Sequence, residues 1–179
     1  MRGITTAALV LLGTVIAPSA HGQVPVNRTQ FPGLDGYFDR DVKERTLECR
    51  VFPYRPLLNF SFRFQSGWRF EVPYRALRTE PHPLVVLVRI VPDEPGKQPI
   101  YLYESANLPA IPERSKMTLE MDGTFLLGPG RYTADLVASD GDHRTCRTSW
   151  ALEAKLGRGD KDIEPTLAPG QLMAFGPGI

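Results

Sequence analysis

The chain has 179 residues, with 21 basic and 20 acidic side chains and a formal net charge of +1. So even a balance gives no global attraction to nucleic acid or to an anionic membrane surface. Two cysteines allow one internal bridge at most, which excludes a small scaffold held by several disulfides.

Residues 1–22 read MRGITTAALVLLGTVIAPSAHG. Arg2 supplies a positive start, residues 7–17 a short apolar stretch, and Ala20-His21-Gly22 a small-x-small cleavage pattern. The apolar stretch is well short of the ~20 residues that span a bilayer. A cleaved secretory signal is expected, with Gln23 as the first mature residue and cleavage after Ala20 as the alternative. The mature chain then has no membrane span and is secreted, to the periplasm or beyond the cell. It keeps 157 residues with 20 bases against 20 acids, enough for one domain with a core. In an oxidising compartment Cys49 and Cys146 are expected to pair. That closes a loop of nearly a hundred residues, worth about 4–5 kcal/mol in the chain-entropy view. An intermolecular bridge or two free thiols are the alternatives.

Residues 23–45 mix Pro, Gly and charge without sustained periodicity and predict an extended lead-in, with one helical turn near residues 39–43. Asn27-Arg28-Thr29 and Asn59-Phe60-Ser61 match the glycosylation triplet. Leu47, Cys49 and Val51 alternate, and Pro53 is expected to end that first strand. Residues 52–74 then hold eight of the seventeen aromatic side chains. Phe60, Phe62 and Phe64 share a face, as do Trp68, Phe70, Val72 and Tyr74. A three-residue loop at 65–67, with Gly67 as the turn glycine, would pair Phe64 with Trp68 and Phe62 with Phe70, putting all of them on one side. Residues 84–91, LVVLVRIV, predict a strand buried on both faces. Strands are also expected at 100–103, 117–121 and 125–127.

Residues 128–153 give the clearest hairpin. Tyr132, Ala134, Leu136 and Ala138 alternate before Ser139-Asp140-Gly141, and Cys146, Thr148, Trp150 and Leu152 alternate after it. A loop at 139–141 would pair Ala138 with Asp142, Leu136 with Arg144 and Ala134 with Cys146, with turn glycine Gly141 in the left-handed region. From Gly157 the chain is rich in Gly and Pro without periodicity, and residues 157–179 are expected to form a flexible tail. Eight or nine short strands with turn signals about every ten residues predict an all-β antiparallel sandwich over residues 46–156.

The series Gly130-x-Tyr132-x-Ala134-x-Leu136-x-Ala138 with Asp140-Gly141 resembles the last hairpin of immunoglobulin-like domains, in particular bacterial fibronectin-III-like and PKD-like modules. The resemblance implies an immunoglobulin-like β-sandwich in which Tyr132 locks its strand end through a corner hydrogen bond. Antibody-type domains carry a cysteine where Ala134 stands. Here the cysteine is one strand later, which implies that any bridge is not the familiar inter-sheet one. The fold hosts many functions and implies none of them.

No catalytic residue, cofactor or metal site is expected. The chain lacks GxSxG, HExxH, a phosphate-cradling loop and CxxC. His82 lies between prolines and His143 follows a turn, neither in a ligand spacing. Ser139-Asp140-Gly141-Asp142 reads as a turn rather than the six to eight oxygens that calcium takes. Arg158-Gly159-Asp160 is a triplet short enough to arise by chance. The best lead is charge: residues 50–78 carry six arginines against one acid, Glu71. The expected register sets Arg63 across from Arg69, a like-charge pair that destabilises by some tenths of a kcal/mol. Arg63, Arg69 and Arg75 are therefore the candidate binding residues, unless acids on a neighbouring strand compensate them. The expected function is a non-catalytic binding or scaffolding module of the envelope or extracellular space, recognising a protein or an anionic ligand. Two alternatives stand beside it: a self-assembling subunit that adds residues 23–31 to a neighbour's sheet, and a hydrolase whose carboxylates, such as Asp135 and Glu120, converge only in three dimensions.

Overall fold

A strand with apolar side chains on both faces has to be covered twice. In the computed structural model, which describes residues 23–26, 31, 33–39, 45–112, 115–141 and 144–175, residues 84–91 lie in such a strand. The expected signal, Asn27, Asp142 and His143 lie outside the described residues. One sheet has six strands in the order β1 (Val24–Val26), β6 (Ile100–Leu108), β5 (His82–Pro92), β8 (Gly130–Ser139), β9 (Arg144–Ala154) and β2 (Arg45–Thr46). The other has four, in the order β10 (Leu172–Ala174), β7 (Thr118–Leu127), β4 (Phe64–Pro73) and β3 (Arg50–Leu58). Neighbours are antiparallel except the short β2, which runs parallel to β9. The protein is thus an all-β sandwich of two sheets.

The inner side chains of β5, Leu84, Val86, Val88 and Ile90, meet Phe64, Trp68, Phe70 and Val72 of β4 in one core, and each is at most 1% exposed. Its outer side chains Val85 and Leu87 are covered by Leu34 and Phe38 of a short helix α1 (Leu34–Asp39), together with Tyr101 of β6. Arg89 shares that outer face. It pairs with Asp135 at 3.0 Å and Asp35 at 3.8 Å, and its guanidinium lies 4.8 Å over the Phe38 ring.

The last hairpin keeps its predicted faces but not its register. Ala138 pairs with Cys146, Leu136 with Thr148 and Ala134 with Trp150, a shift of four residues on β9. An even shift preserves which side chains point inward. The observed register matches β8 along its whole length, down to Tyr132 with Leu152 and Gly130 with Ala154; the expected one would leave Leu152 and Ala154 unpaired. The longer loop also lets Asp140, fully buried, turn back to pair with Arg144. Gly141 sits at φ +80°, as expected of the turn glycine. The Tyr132 hydroxyl donates to the Gly128 carbonyl at 2.8 Å, the corner bond that the resemblance implied. Burial pushes the Tyr132 phenol up to about 12, with Glu94 adding to the rise and the Gly170 backbone opposing it.

The aromatic hairpin is different. Gly67 is not in a turn: it lies inside β4, opposite Thr124 of β7 and Tyr54 of β3. A Cβ there would meet the Gly123 carbonyl oxygen at 2.1 Å, so glycine is required by the close approach of two strands. The chain reverses instead at residues 59–63. Asn59 Oδ1 accepts the Ser61 and Arg63 backbone N–H groups, at 3.0 and 3.1 Å, and Phe62 adopts φ +54°. Phe62 therefore does not face Phe70, Phe60 is fully exposed, and of the hairpin's aromatic side chains Phe64, Trp68 and Phe70 are the ones buried in the core, beside Val72. Pro53 does not end its strand either, because β3 is an edge strand, where a missing N–H costs no ladder bond.

Cys49 and Cys146 form a disulfide with Cα atoms 6.2 Å apart. It is not placed as in antibody domains, yet it joins the two sheets, where the chain leaves β2 for β3. The lead-in supplies β1 and α1; residues 40–43 of the expected helical turn lie outside the described residues. The segment from Gly157, expected as a flexible tail, runs past the β3–β4 reversal to the edge of β7. Thr166 N–H donates to the Phe62 carbonyl at 2.9 Å, Leu167 is buried, and β10 pairs with β7.

Gly67→Ala is expected to cost about 1–3 kcal/mol through overpacking, read as a lowered urea midpoint. Gly159→Ala, where a Cβ meets nothing within 4 Å, leaves that midpoint in place. Replacing both cysteines by serine costs about 2–5 kcal/mol in the same measurement.

Candidate binding face

Side chains alternate across β3, β4 and β7, so every second residue of the four-stranded sheet points away from the core. This outer row holds Phe52 and Tyr54 of β3, Arg69 and Glu71 of β4, and Glu120 and Asp122 of β7. These six residues are exposed or half-buried, in contrast to the helix-covered face of the other sheet, although further along β7 the outward Leu126 is buried.

Arg69 does not stand across from Arg63. Its neighbours are Phe52 on one side and Asp122 on the other. The Arg69 Nε donates to Asp122 Oδ1 at 3.1 Å, and the Tyr54 hydroxyl donates to the same oxygen. The hydrogen bond to Asp122 is the main cause that raises the Tyr54 pKa, with burial and the Asp122 charge adding to it and Arg69 opposing. Arg69 and Asp122 are both nearly half exposed, at 44% and 45%, so solvent screens their attraction. The three residues form a polar centre on an open sheet.

Arg63 and Arg75 lie beyond opposite ends of β4. Arg63 sits in the reversal at 59–63, its Nε donating to Thr166 Oγ1 at 3.2 Å. Around it Leu57 is 71% exposed, Phe60 105% and Phe62 48%. The Asn59 of the glycosylation triplet is used here as a turn acceptor. Arg75 follows β4 in a 3-10 turn (Tyr74–Ala76) and pairs with Glu48. It lines a cleft of about 370 Å³ beside the disulfide, with Cys49, Glu48, Arg50, Glu71 and Lys116. That volume is at the small end of ligand pockets. The structure thus separates the three candidate arginines into a tip, a centre and a cleft along one sheet.

Other candidates are not brought together. Asp135 is bound to Arg89 on the outer face of the six-stranded sheet, and Glu120 lies on the outer face of the other. His82 is buried, its Nδ1 2.7 Å from the Glu80 carbonyl oxygen and its Nε2 without a partner. Asp160 of the Arg-Gly-Asp triplet closes a turn onto Gly157. Among the described residues no group of three His, Cys, Asp or Glu could hold a metal ion.

Sequence reasoning missed Tyr54 and Asp122, which are 68 residues apart and meet only once β3, β4 and β7 are in register. It also missed two polar residues in the core. Gln23 is 5% exposed, and Glu104 of β6 points inward with Oε2 enclosed; among the described residues neither side chain's buried polar atoms find a partner. Glu104 had a signal: it interrupts the alternating row Leu102, Glu104, Ala106, Leu108.

Asp122→Asn is expected to bring the Tyr54 phenol down toward its ordinary value, because the charge and the strong acceptor that disfavour its ionisation are both weakened. Titration of the tyrosine absorbance, with Tyr54→Phe as the reference, reads the shift.

No protein-family model matches the chain, and no curated protein matches it significantly in sequence.

Proposed function

We propose that the protein is an immunoglobulin-like, non-catalytic binding module of the cell envelope or extracellular space, and that it binds a partner protein through the open face of its four-stranded sheet. The supporting observation is the asymmetry between its sheets. One outer face is covered by α1, whereas the other leaves Phe52 44% exposed and carries the Leu57, Phe60 and Phe62 tip. Aromatic and arginine side chains grouped on one exposed surface are the usual anchors of protein recognition. The Arg69–Asp122–Tyr54 centre adds directional contacts, and the cleft with Arg50, Arg75 and Lys116 suits an acidic side chain of the partner.

The disulfide fits an oxidising compartment, and no described helix is long and apolar enough to cross a membrane. The signal pattern of residues 1–22 completes the reading that the protein is exported.

A photo-crosslinker at Phe60, compared with one at Tyr37 on the helix-covered side, is the direct test. The partner captured from the exported fraction is identified, purified and titrated against wild type and against Phe52→Ser with Arg69→Glu. A rise in Kd of about 10–100-fold is expected. Equal affinity, or equal capture from both positions, rejects this face.

A further inference from the structure

We infer that removal of residues 1–22 does more than release the chain: the new α-ammonium group of Gln23 becomes the ion-pair partner of the half-buried Glu104 carboxylate, so that processing itself stabilises the sandwich. The inference rests on the proposed reading that the signal is cleaved after Gly22.

Strand β1 pairs with β6 as Val24 with Tyr103, Pro25 with Leu102 and Val26 with Tyr101. Carried one residue further, this register sets Gln23 across from Glu104. Opposite residues of an antiparallel pair share a face, with Cα atoms about 4.5–5.5 Å apart. That face is the interior. Glu104 stands beside Val86 of β5, a core residue, and the Gln23 carboxamide lies against Gly123 of β7 and the Trp68 indole of β4. The main-chain nitrogen of residue 23 is thus within a glutamate side chain's length of Glu104.

A carboxylate in such a place needs a cation or donors. Among the described residues it has neither. From β5 it faces Val86, from β1 Gln23, and the one charge acting on it is Asp122 of β7, an acid. Burial first and Asp122 second raise its pKa to about 7, in a chain whose residue 23 is still acylated by Gly22. Hydrolysis of the Gly22–Gln23 peptide bond by a signal peptidase consumes one water. It leaves a carboxylate on Gly22 and an amine on Gln23, which takes up a proton below a pKa of about 8. The position opposite Glu104 changes from a neutral amide to a cation with three donors.

The sign of the pH dependence follows. Without the ammonium, Glu104 is easier to protonate folded than unfolded, so stability is full below the ordinary carboxylate value of 4.5 and falls as pH rises toward 7. With the ammonium, the carboxylate is held charged and the amine's own pKa is raised. Stability then persists through neutrality and is lost as pH climbs through the amine's raised value.

The test exports the full chain from a bacterial host. It compares the natural mature form with one carrying Gly-Ser inserted between Gly22 and Gln23, each with Glu104 and with Glu104→Gln. Intact mass and N-terminal sequencing come first. A first residue other than Gln23 overturns the processing reading, and the pair with it. With Gln23 first, the insertion is expected to lower Tm at pH 7 by at least about 3 °C in the Glu104 chain and to change it little in Glu104→Gln. It also restores the fall in stability between pH 4.5 and 7. An equal effect of the insertion in both backgrounds, or a mature mass lower by one ammonia from closure of the amine on the Gln23 carboxamide, overturns the pair while leaving the processing reading intact.

Discussion

The two-sided burial of β5 is the constraint from which the rest of the molecule follows. Its inner row, Leu84 to Ile90, needs a second sheet, and its outer row, Val85 and Leu87, needs the helix. The first demand is met by β4, the strand just before it in the chain, and the second by a helix far upstream. The six-stranded sheet is thereby committed on both sides to holding the fold together. The four-stranded sheet is buried on one side, and its free side is where surface chemistry can vary without cost to the core. The Arg89–Asp135–Asp35 cluster belongs to the first role and the Arg69–Asp122–Tyr54 cluster to the second, although the two look alike in composition.

Much of this architecture was legible from alternation. The apolar run of β5, the inward set of β8 and β9 and the pairing of the two cysteines all follow from period and compartment. Register was not. Two glycines with the same local appearance, Gly67 and Gly141, play different parts. Gly141 sits at a positive φ in a turn, whereas Gly67 makes room for the backbone of β7. The requirement at Gly67 comes from residue 123, and no local pattern contains it. The same distinction undid Pro53 as a strand breaker, since whether proline is tolerated depends on whether its strand lies at an edge.

The candidate arginines show the same limit. Their density between residues 50 and 78 places them along one sheet. Which acid meets which arginine is decided by strand neighbours: Asp122 reaches Arg69 across the ladder, and Glu48 reaches Arg75 from the segment ahead of β3. Composition counted these arginines as a block, and the ladder distributed them. What is left at the surface is a graded strip, apolar at the tip, mixed in the middle and charged at the cleft, which suits an extended protein contact better than a small ligand.

The path of the C-terminal segment has a consequence for how the chain reaches its final form. Residue 166 fastens the β3–β4 reversal, and residues 172–174 complete the edge of β7, so that sheet is completed by a segment lying 105 residues beyond the reversal at Ser61. With the edge of the other sheet held by residues 24–26, the fold depends on pairings between segments distant in sequence. Such a topology assembles slowly, and until residues 172–174 dock, β7 keeps an open edge that another strand could occupy.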